Sequence, residues 1–502
     1  MIKKFTAALL LFAIFGIQAT FSQTSREEFD RFRQQSERDF RAFQEQSRQD
    51  LDDFRARTNA EFAAFMNRPW RDFQVVEPTP PPPPPPPIEI PKIDPEQEVT
   101  TEPIPIKEII VPPPPEPRPQ PIAPIEVPEP PTPEVPVPDV DDFSFLFFNT
   151  QATVRLNDSL RFTLYDITEQ TVAQMWYTLS SEQYNALIAD CLALRDRLNL
   201  SDWGYKSLLR TMSEQFFGEE SNEAVLLQMF ILTQSGYKVR IARAGEQLAL
   251  LVPFRENLYG YAFLYINRQR FYIMNRNLRT LTLHVFDEAF PREQFFSWQT
   301  SLPNLAVDLT APRTFSTAPC LFFPNRPEIY VTIQTNRNLV DFLYTYPFAR
   351  WDMYVHAGLS DIVRQSLFPV LQRAVAGKSN LEAVQVFLDF LHHAFDYMTD
   401  CEQFGYEKPF FADESFFFPY NDCKDRSILF SILVRDLLGL EVVLLHYPNH
   451  LSTAVHFPEY VQGNYFMIDG RRFVEADPTF INARVGMTMP QFRGVSANIV
   501  RL

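Results

Sequence analysis

The chain has 502 residues, 45% of them apolar and 48 of them Phe, so it can bury a sizeable core and is long enough for two or three domains. A formal net charge of −16 argues against a nucleic-acid partner. Four cysteines (Cys191, Cys320, Cys401 and Cys423) are too few for a disulfide scaffold at this length.

Met1-Ile2-Lys3-Lys4 precedes an apolar run from Phe5 to Ile17, and Thr20-Phe21-Ser22 offers a small-x-small cleavage site before Gln23. This is the pattern of a secretory signal peptide over 1–22, and it predicts an exported chain, periplasmic or extracellular. The run is short for a bilayer span, and no later stretch reads as transmembrane, so no transmembrane helix is expected after cleavage.

Residues 25–70 carry a repeat. Phe29/Phe32, Phe40/Phe43, Leu51/Phe54 and Phe62/Phe65 are apolar pairs spaced three apart and recurring every eleven residues, with charged and polar residues between. Eleven residues correspond to about 3.67 per turn, so the pairs form a narrow stripe along one long helix. Such a helix pairs with another copy, lies on another surface such as an envelope partner, or is only a solvated helix. Residues 71–140 hold most of the chain's 43 prolines, including eight in a row from Pro80, and predict a disordered polyproline spacer.

From about Asp141 the composition is globular. Periodicity predicts helices over 168–196, 203–216, 222–235, 357–375, 380–399 and 423–438. Strands are predicted over 238–243, 247–254, 262–274, 320–345, 441–445, 450–457 and 465–477. Helix runs followed by strand runs predict an α+β fold.

The chemistry concentrates in three segments. Asp422-Cys423-Lys424-Asp425-Arg426 opens an apolar helix that stops at Gly439, with Asn421 or Asp422 available as cap. A sulfur in the first helical turn faces the positive end of the macrodipole, which favours a thiolate. His450 opens a strand, and Asp477, followed by Pro478, ends a later one. A thiol, an imidazole and a carboxylate so placed suit a nucleophile, its base and the group that fixes the base's tautomer. His446 and His456 compete for the base. His456 lies about 20 Å along the strand from the Asp end, and His446 lies in a connection. His392 and His393 read as structural. A Cys/His/Asp zinc site is the chemical rival, but the sequence has no close ligand pair, and no cofactor is implied. The backbone N–H of Cys423 is one candidate oxyanion donor, and Gln385 is a conceivable second.

This order and spacing resembles the transglutaminase-like superfamily. In that family a Cys opens a helix, a His opens the next strand, and an Asp lies in a terminal Asp-Pro-Thr, here Asp477-Pro478-Thr479. The resemblance covers roughly 380–490. With Glu402-Gln403-Phe404-Gly405 and Pro419-Tyr420-Asn421-Asp422 it looks like an exported, Bacteroidetes-type subgroup. It implies a papain-like Cys423, His450, Asp477 triad in a 351–502 catalytic domain acting on peptide or amide bonds. His450-Leu451-Ser452 departs from the His-small-aromatic pattern of many members, which leaves the substrate wall open.

The first globular half repeats the second. Gly236/Gly439, Gln247/His450 and Phe254/Phe457 share an offset of 203, and Arg270/Arg472 and Phe271/Phe473 an offset of 202. By this alignment Ser221 or Glu220 stands near the Cys position, Gln247 at the His and Asn275 at the Asp. Residues 141–275 therefore read as a degenerate copy without catalysis, and 276–350 as a β-rich linking module. Two functions follow as expectations: an exported thiol hydrolase or acyltransferase, or a non-catalytic envelope binding or scaffold protein that uses the same fold.

Overall fold

The computed structural model describes residues 23–81, 88–91, 93, 98–114, 118–121, 142–181, 184–254, 257–275, 278, 280–297, 300–317 and 327–502. The segment 1–22 expected to be a signal peptide, most of the proline run, residues 122–141 and Cys320 lie outside them. Two compact units, Met1–Glu61 and Phe62–Leu502, divide the chain.

Helix α1 runs over Gln23–Met66. Within the first unit its repeat stripe is open to solvent, with Phe40, Phe43 and Phe54 at 60%, 68% and 40% exposure. The last pair of the repeat behaves differently. In the second unit Phe62 is buried, its ring 4.8 Å from Trp176, 5.1 Å from Phe286 and 4.7 Å from Phe290. Phe62 has thus found a core that Phe40, Phe43 and Phe54 lack.

The second unit is mixed helix and sheet. In chain order it holds β1 (Arg71–Gln74), β2 (Ile106–Ile110), the hairpin β3 (Phe143–Phe147) and β4 (Thr150–Val154), then helices α2 (Glu169–Ser181), α3 (Asn185–Arg197), α4 (Asp202–Phe217) and α5 (Asn222–Gln234). Strands β5 (Arg240–Ala244), β6 (Gln247–Val252), β7 (Phe263–Ile266), β8 (Gln269–Ile273) and β9 (Thr282–Phe286) follow. Next come β10 (Arg313–Ser316), β11 (Tyr330–Ile333), α6 (Arg337–Leu343), α7 (Trp351–Ala357), α8 (Asp361–Val375) and α9 (Asn380–Ala394). The last part comprises β12 (Asp396–Tyr397), α10 (Asp400–Phe404), α11 (Glu414–Phe417), β13 (Tyr420–Asn421), α12 (Cys423–Leu438), β14 (Val442–Tyr447), β15 (His450–His456), β16 (Tyr465–Ile468), β17 (Arg471–Glu475) and β18 (Ala497–Arg501).

Two six-stranded sheets dominate, ordered β1-β9-β5-β6-β8-β7 and β16-β17-β15-β14-β18-β2. Read from the matching edge they have one topology, β7-β8-β6-β5-β9 against β16-β17-β15-β14-β18, and their registers agree residue by residue. Ala244 pairs with Gln247 as Tyr447 pairs with His450, and Leu251 with Ile273 as Ala454 with Glu475. Phe263 pairs with Tyr272 as Tyr465 with Val474, and Ile241 with Phe286 as Leu444 with Val500. Helix α5 packs on β6 as α12 packs on β15. The offset of the sequence repeat therefore runs through the ladders from β5 to β8 and from β14 to β17, while β9 and β18 keep the pairing at a larger offset.

Several expected boundaries change. The 71–140 stretch expected to be spacer supplies an edge strand to each sheet: β1 antiparallel to β9, and β2 parallel to β18. Both segments break the proline run with β-branched or aromatic residues that can pair, as in Arg71-Asp72-Phe73-Gln74 and Ile106-Lys107-Glu108-Ile109-Ile110. Strand β9 completes the first sheet, so the first copy extends past residue 275 into the expected linking module. Of the strand expected over 320–345, the described part holds only β11, followed by helix α6, which the Asn336 side chain caps by accepting from Asn338 N. The helix expected over 357–375 starts after Gly358, where α7 ends and the Ser360 cap opens α8.

One continuous apolar core joins the inner faces of both sheets to the helices. The outer face of the second sheet has its own core, formed with the segment that runs from Glu475 to Ala497 and with Ile88, Ile93, Val99 and Ile104. Gly486 sits in that segment at φ +90, where an added Cβ would stand 2.4 Å from the Cα of Gly463, so only glycine lets the two backbones meet.

Candidate active site

The geometry begins at the start of α12. Strand β13 pairs in parallel with β12, with Tyr397 opposite Asn421, and delivers the chain to Asp422. The Asp422 carboxylate accepts from Lys424 N at 3.0 Å and Asp425 N at 3.4 Å, while Asp425 Oδ2 accepts from Asp422 N at 3.1 Å. This reciprocal box fixes Cys423 as the first helical residue. Its backbone N–H has no acceptor within the helix, as for any first-turn residue. Gly439, at φ +66, ends the helix in the left-handed conformation that glycine adopts without a Cβ clash.

Beneath this turn lies a buried ion cluster. Lys424 Nζ is 2.8 Å from Asp400 Oδ2 and 3.0 Å from Glu407 Oε1, and it also bonds Asp422. Burial, then the neighbouring Asp422 charge, push the Asp400 carboxyl up to about 7. Burial works against the Lys424 charge, but the surrounding carboxylates hold it well above its ordinary value. Oxygens of Asp400, Asp422 and Asp425 come within 4.8 Å of one another, close enough to hold a cation. The Lys424 ammonium already supplies that cation, and a set of three carboxylates is a hard-ion set unlike the zinc site weighed from the sequence.

His450 and Asp477 meet at the ends of adjacent strands. The register of β15 on β17 continues with Ala476 N donating to Thr453 O at 2.9 Å, which carries Asp477 to the His450 end of β15. His450 Nε2 lies 2.8 Å from Asp477 Oδ2, with the two side chains 0% and 1% exposed. Burial opposes charge on the ring, but the Asp477 carboxylate and, more weakly, Cys423 overcome it and raise His450 to about 10. With Nε2 committed to Asp477, Nδ1 is the nitrogen left for the sulfur, and it has no hydrogen-bond partner among the described residues. The structure thus brings Cys423, His450 and Asp477 together in one buried cluster.

The competing histidines lie elsewhere. His456 pairs opposite Phe473 and bonds Arg472 O at 3.0 Å through Nδ1. His446 lies on β14 beside Trp351, and burial lowers it. Gln385 is also occupied: Nε2 donates to Asp389 Oδ1 at 2.9 Å and to Ala483 O at 3.1 Å, and Oε1 accepts from Val485 N at 2.9 Å. It holds the segment below Asp477 and faces no reacting atom.

His392, read from the sequence as structural, and four residues with no role assigned there complete the cluster. His392 Nε2 is 3.0 Å from the Asp477 backbone oxygen, and burial lowers this imidazole to about 3, so it is a neutral donor that holds Asp477 in place. Asp477 Oδ1 also accepts from Thr479 N at 2.9 Å. Phe492 stacks on the His450 ring at 5.1 Å and 7° and on Tyr447 at 4.9 Å and 22°. Glu475, on the same strand face as Asp477, takes bonds from Tyr447 Oη at 3.2 Å, Ser452 Oγ at 3.3 Å and Thr488 Oγ1. Burial, then the Asp477 charge, raise it to about 8. Arg426, fully buried three residues after Cys423, donates through Nη2 to Phe395 O at 2.7 Å and lies 5.6 Å from the Tyr397 ring. Burial lowers Arg426 to about 10, which leaves it cationic at neutral pH, and its Nε and Nη1 have no partner among the described residues. The available signal was the three-residue spacing from Cys423, which places Arg426 on the same helix face.

The first copy shows what replaces this cluster. The N-cap of α5 is Ser221, so the residue at the Cys423 position is Asn222, not Ser221 or Glu220. The strand offset of 203 misplaces it because α5 has 13 residues and α12 has 16. Asn222 Oδ1 accepts from Leu248 N at 2.8 Å and its Nδ2 donates to Glu246 O at 3.0 Å. Asn275 likewise accepts from Leu250 N and donates to Leu248 O, both at 3.1 Å. Gln247 is exposed, whereas His450, its counterpart in the second copy, is buried. Two amides that clamp backbone stand where the thiol and the carboxylate stand in the second copy.

No family model, no curated protein and no solved structure matches this chain.

Proposed function

We propose that the second copy is a thiol hydrolase or acyltransferase of transglutaminase-like type that acts on peptide or amide bonds. The observation that carries this reading is the buried His450–Asp477 pair, 2.8 Å apart, beside a Cys423 held at a helix start. An imidazolium and a helix N-terminus both favour negative charge on the sulfur. Cys423 Sγ attacks the carbonyl carbon as its C=O π electrons move to oxygen, and the developing oxyanion lies within reach of the Cys423 N–H. The tetrahedral adduct collapses, the C–N bond breaks, and His450 gives its proton to the departing amine. Water or a second amine, deprotonated by His450, then attacks the thioester and releases Cys423. Asp477 holds the ring, and His392 and Thr479 hold Asp477. Export through the 1–22 segment is part of the same proposal.

The first copy, which keeps the framework and replaces the chemistry with backbone-clamping amides, favours a second reading: a binding or scaffold protein of the cell envelope. Alkylation separates the two. Iodoacetamide is expected to modify Cys423 faster than exposed Cys401 and buried Cys191, with the rate lost in His450→Ala. A Cys423 no more reactive than Cys401, and indifferent to His450→Ala, leaves the binding reading.

A further inference from the structure

We propose that α1 is the strand of a parallel, in-register two-stranded coiled coil, so that the chain docks to a second copy of itself through this helix. The surface is the open stripe of the first unit, on which Phe40, Phe43 and Phe54 are 60%, 68% and 40% exposed. What covers it can be read from the residues that border it.

An eleven-residue repeat turns about 98° per residue, so position 8 of each repeat falls midway between the apolar positions 1 and 4. Position 8 is Ser36, Ser47 and Thr58, small residues that let two backbones approach along the seam. The two positions that flank the stripe, about 65° to each side of its centre, are 5 and 11. Position 5 is Arg33, Gln44 and Arg55, and position 11 is Glu28, Asp39, Asp50 and Glu61. One border is therefore basic or amide throughout and the other acidic throughout.

This asymmetry selects the occupant and its direction. In a parallel pair each helix sets its one border against the opposite border of its partner, whereas an antiparallel pair sets like borders together. Parallel pairing in register places Asp39 and Asp50 against Gln44 and Arg55 of the second copy, five residues on. Antiparallel pairing sets acid against acid. The overall charge agrees. Phe29–Glu61 carries seven Arg against eight Asp and Glu, close to neutral in a chain of net charge −16, so this is the segment on which two acidic chains approach without strong repulsion. Within a single copy Arg33 bonds Glu37 along its own helix at 3.0 Å, and with both side chains half or more exposed that pair is weak enough to exchange, whereas Arg55, 3.3 Å from Asp52, is only 13% exposed.

Sedimentation and light scattering of the full chain test this. The expected result is a dimer that Phe43→Glu/Phe54→Glu converts to monomer without moving the thermal transition of the globular unit, because both rings are already exposed in one copy. Asp50→Lys and Arg55→Glu are each expected to weaken the dimer roughly tenfold, and the double variant to restore it, as only opposed borders allow. Ser47→Cys in a Cys401→Ser background is expected to form an intermolecular disulfide with oxidised glutathione. A chain that is monomeric at every concentration, a dimer indifferent to the Phe changes, or a double charge swap that fails to restore affinity overturns the proposal. So does a monomer that floats with anionic lipid vesicles through the same stripe.

Discussion

Asp477→Asn tests the core of the site with little change of shape. The wild-type carboxylate is the main group that overcomes burial and raises His450 from 6.5 to about 10. That rise corresponds to about 5 kcal/mol of linkage, an upper limit because Cys423 supplies part of it. A histidine whose folded value is raised stabilises the fold fully below about 6.5, and the contribution is lost as pH rises through about 10. With the charge removed, burial governs and the ring is neutral at pH 7. The amide carbonyl introduced by the substitution can keep the bond from Thr479 N, so the loss is electrostatic. Urea denaturation at pH 6 is expected to show a loss of about 2–5 kcal/mol, with the difference from wild type shrinking toward pH 10. Alkylation of Cys423 is expected to slow at least tenfold. Equal stability at both pH values, together with unchanged alkylation, would refute the reasoning, because it would mean the pair is not coupled to the fold or to the sulfur.

Two further substitutions probe residues around the triad. Glu475 is raised from 4.5 to about 8, so it stabilises the fold when protonated and that contribution fades as pH climbs between those values. Glu475→Gln is expected to flatten this slope by a few kcal/mol in denaturation at pH 5 and pH 8, and an unchanged slope would remove Glu475 as its source. Arg426→Met replaces a buried, incompletely bonded cation with an apolar chain of similar length. Stability is expected to hold within about 1 kcal/mol or to rise, while Cys423 alkylation at neutral pH slows about tenfold as a nearby positive charge is lost. A variant that unfolds yet alkylates normally would show that Arg426 only fills space.

Much of the site was legible because its signals are local. The reciprocal Asp422/Asp425 cap spans one turn, and the run to Gly439 names the helix. Alternation through 450–457 and 465–477 placed His450 and Asp477 at facing strand ends, while His456 was distant by strand rise alone. The shared offset of the two halves foretold two sheets with one register. Where that offset was applied to the helix start it failed at Asn222, because α5 is shorter than α12 and strand register says nothing about helix length.

Other features have no local signal. Strand β2 joins Ile106–Ile110 to Ala497–Arg501 across nearly the whole chain, and a proline-rich context hides both it and β1. His392 beneath Asp477, Phe492 on the imidazole and the buried Arg426 are likewise fixed by partners far along the chain or by burial. The sequence by itself determined what neighbours within a few residues can enforce: periodicity, caps, strand ends and the eleven-residue stripe of α1. Tertiary structure decided which edge strands close each sheet, which ring covers His450, and which charges share the buried space. Desolvation and long-range pairing depend on what the fold brings together, and no short window of residues contains that information.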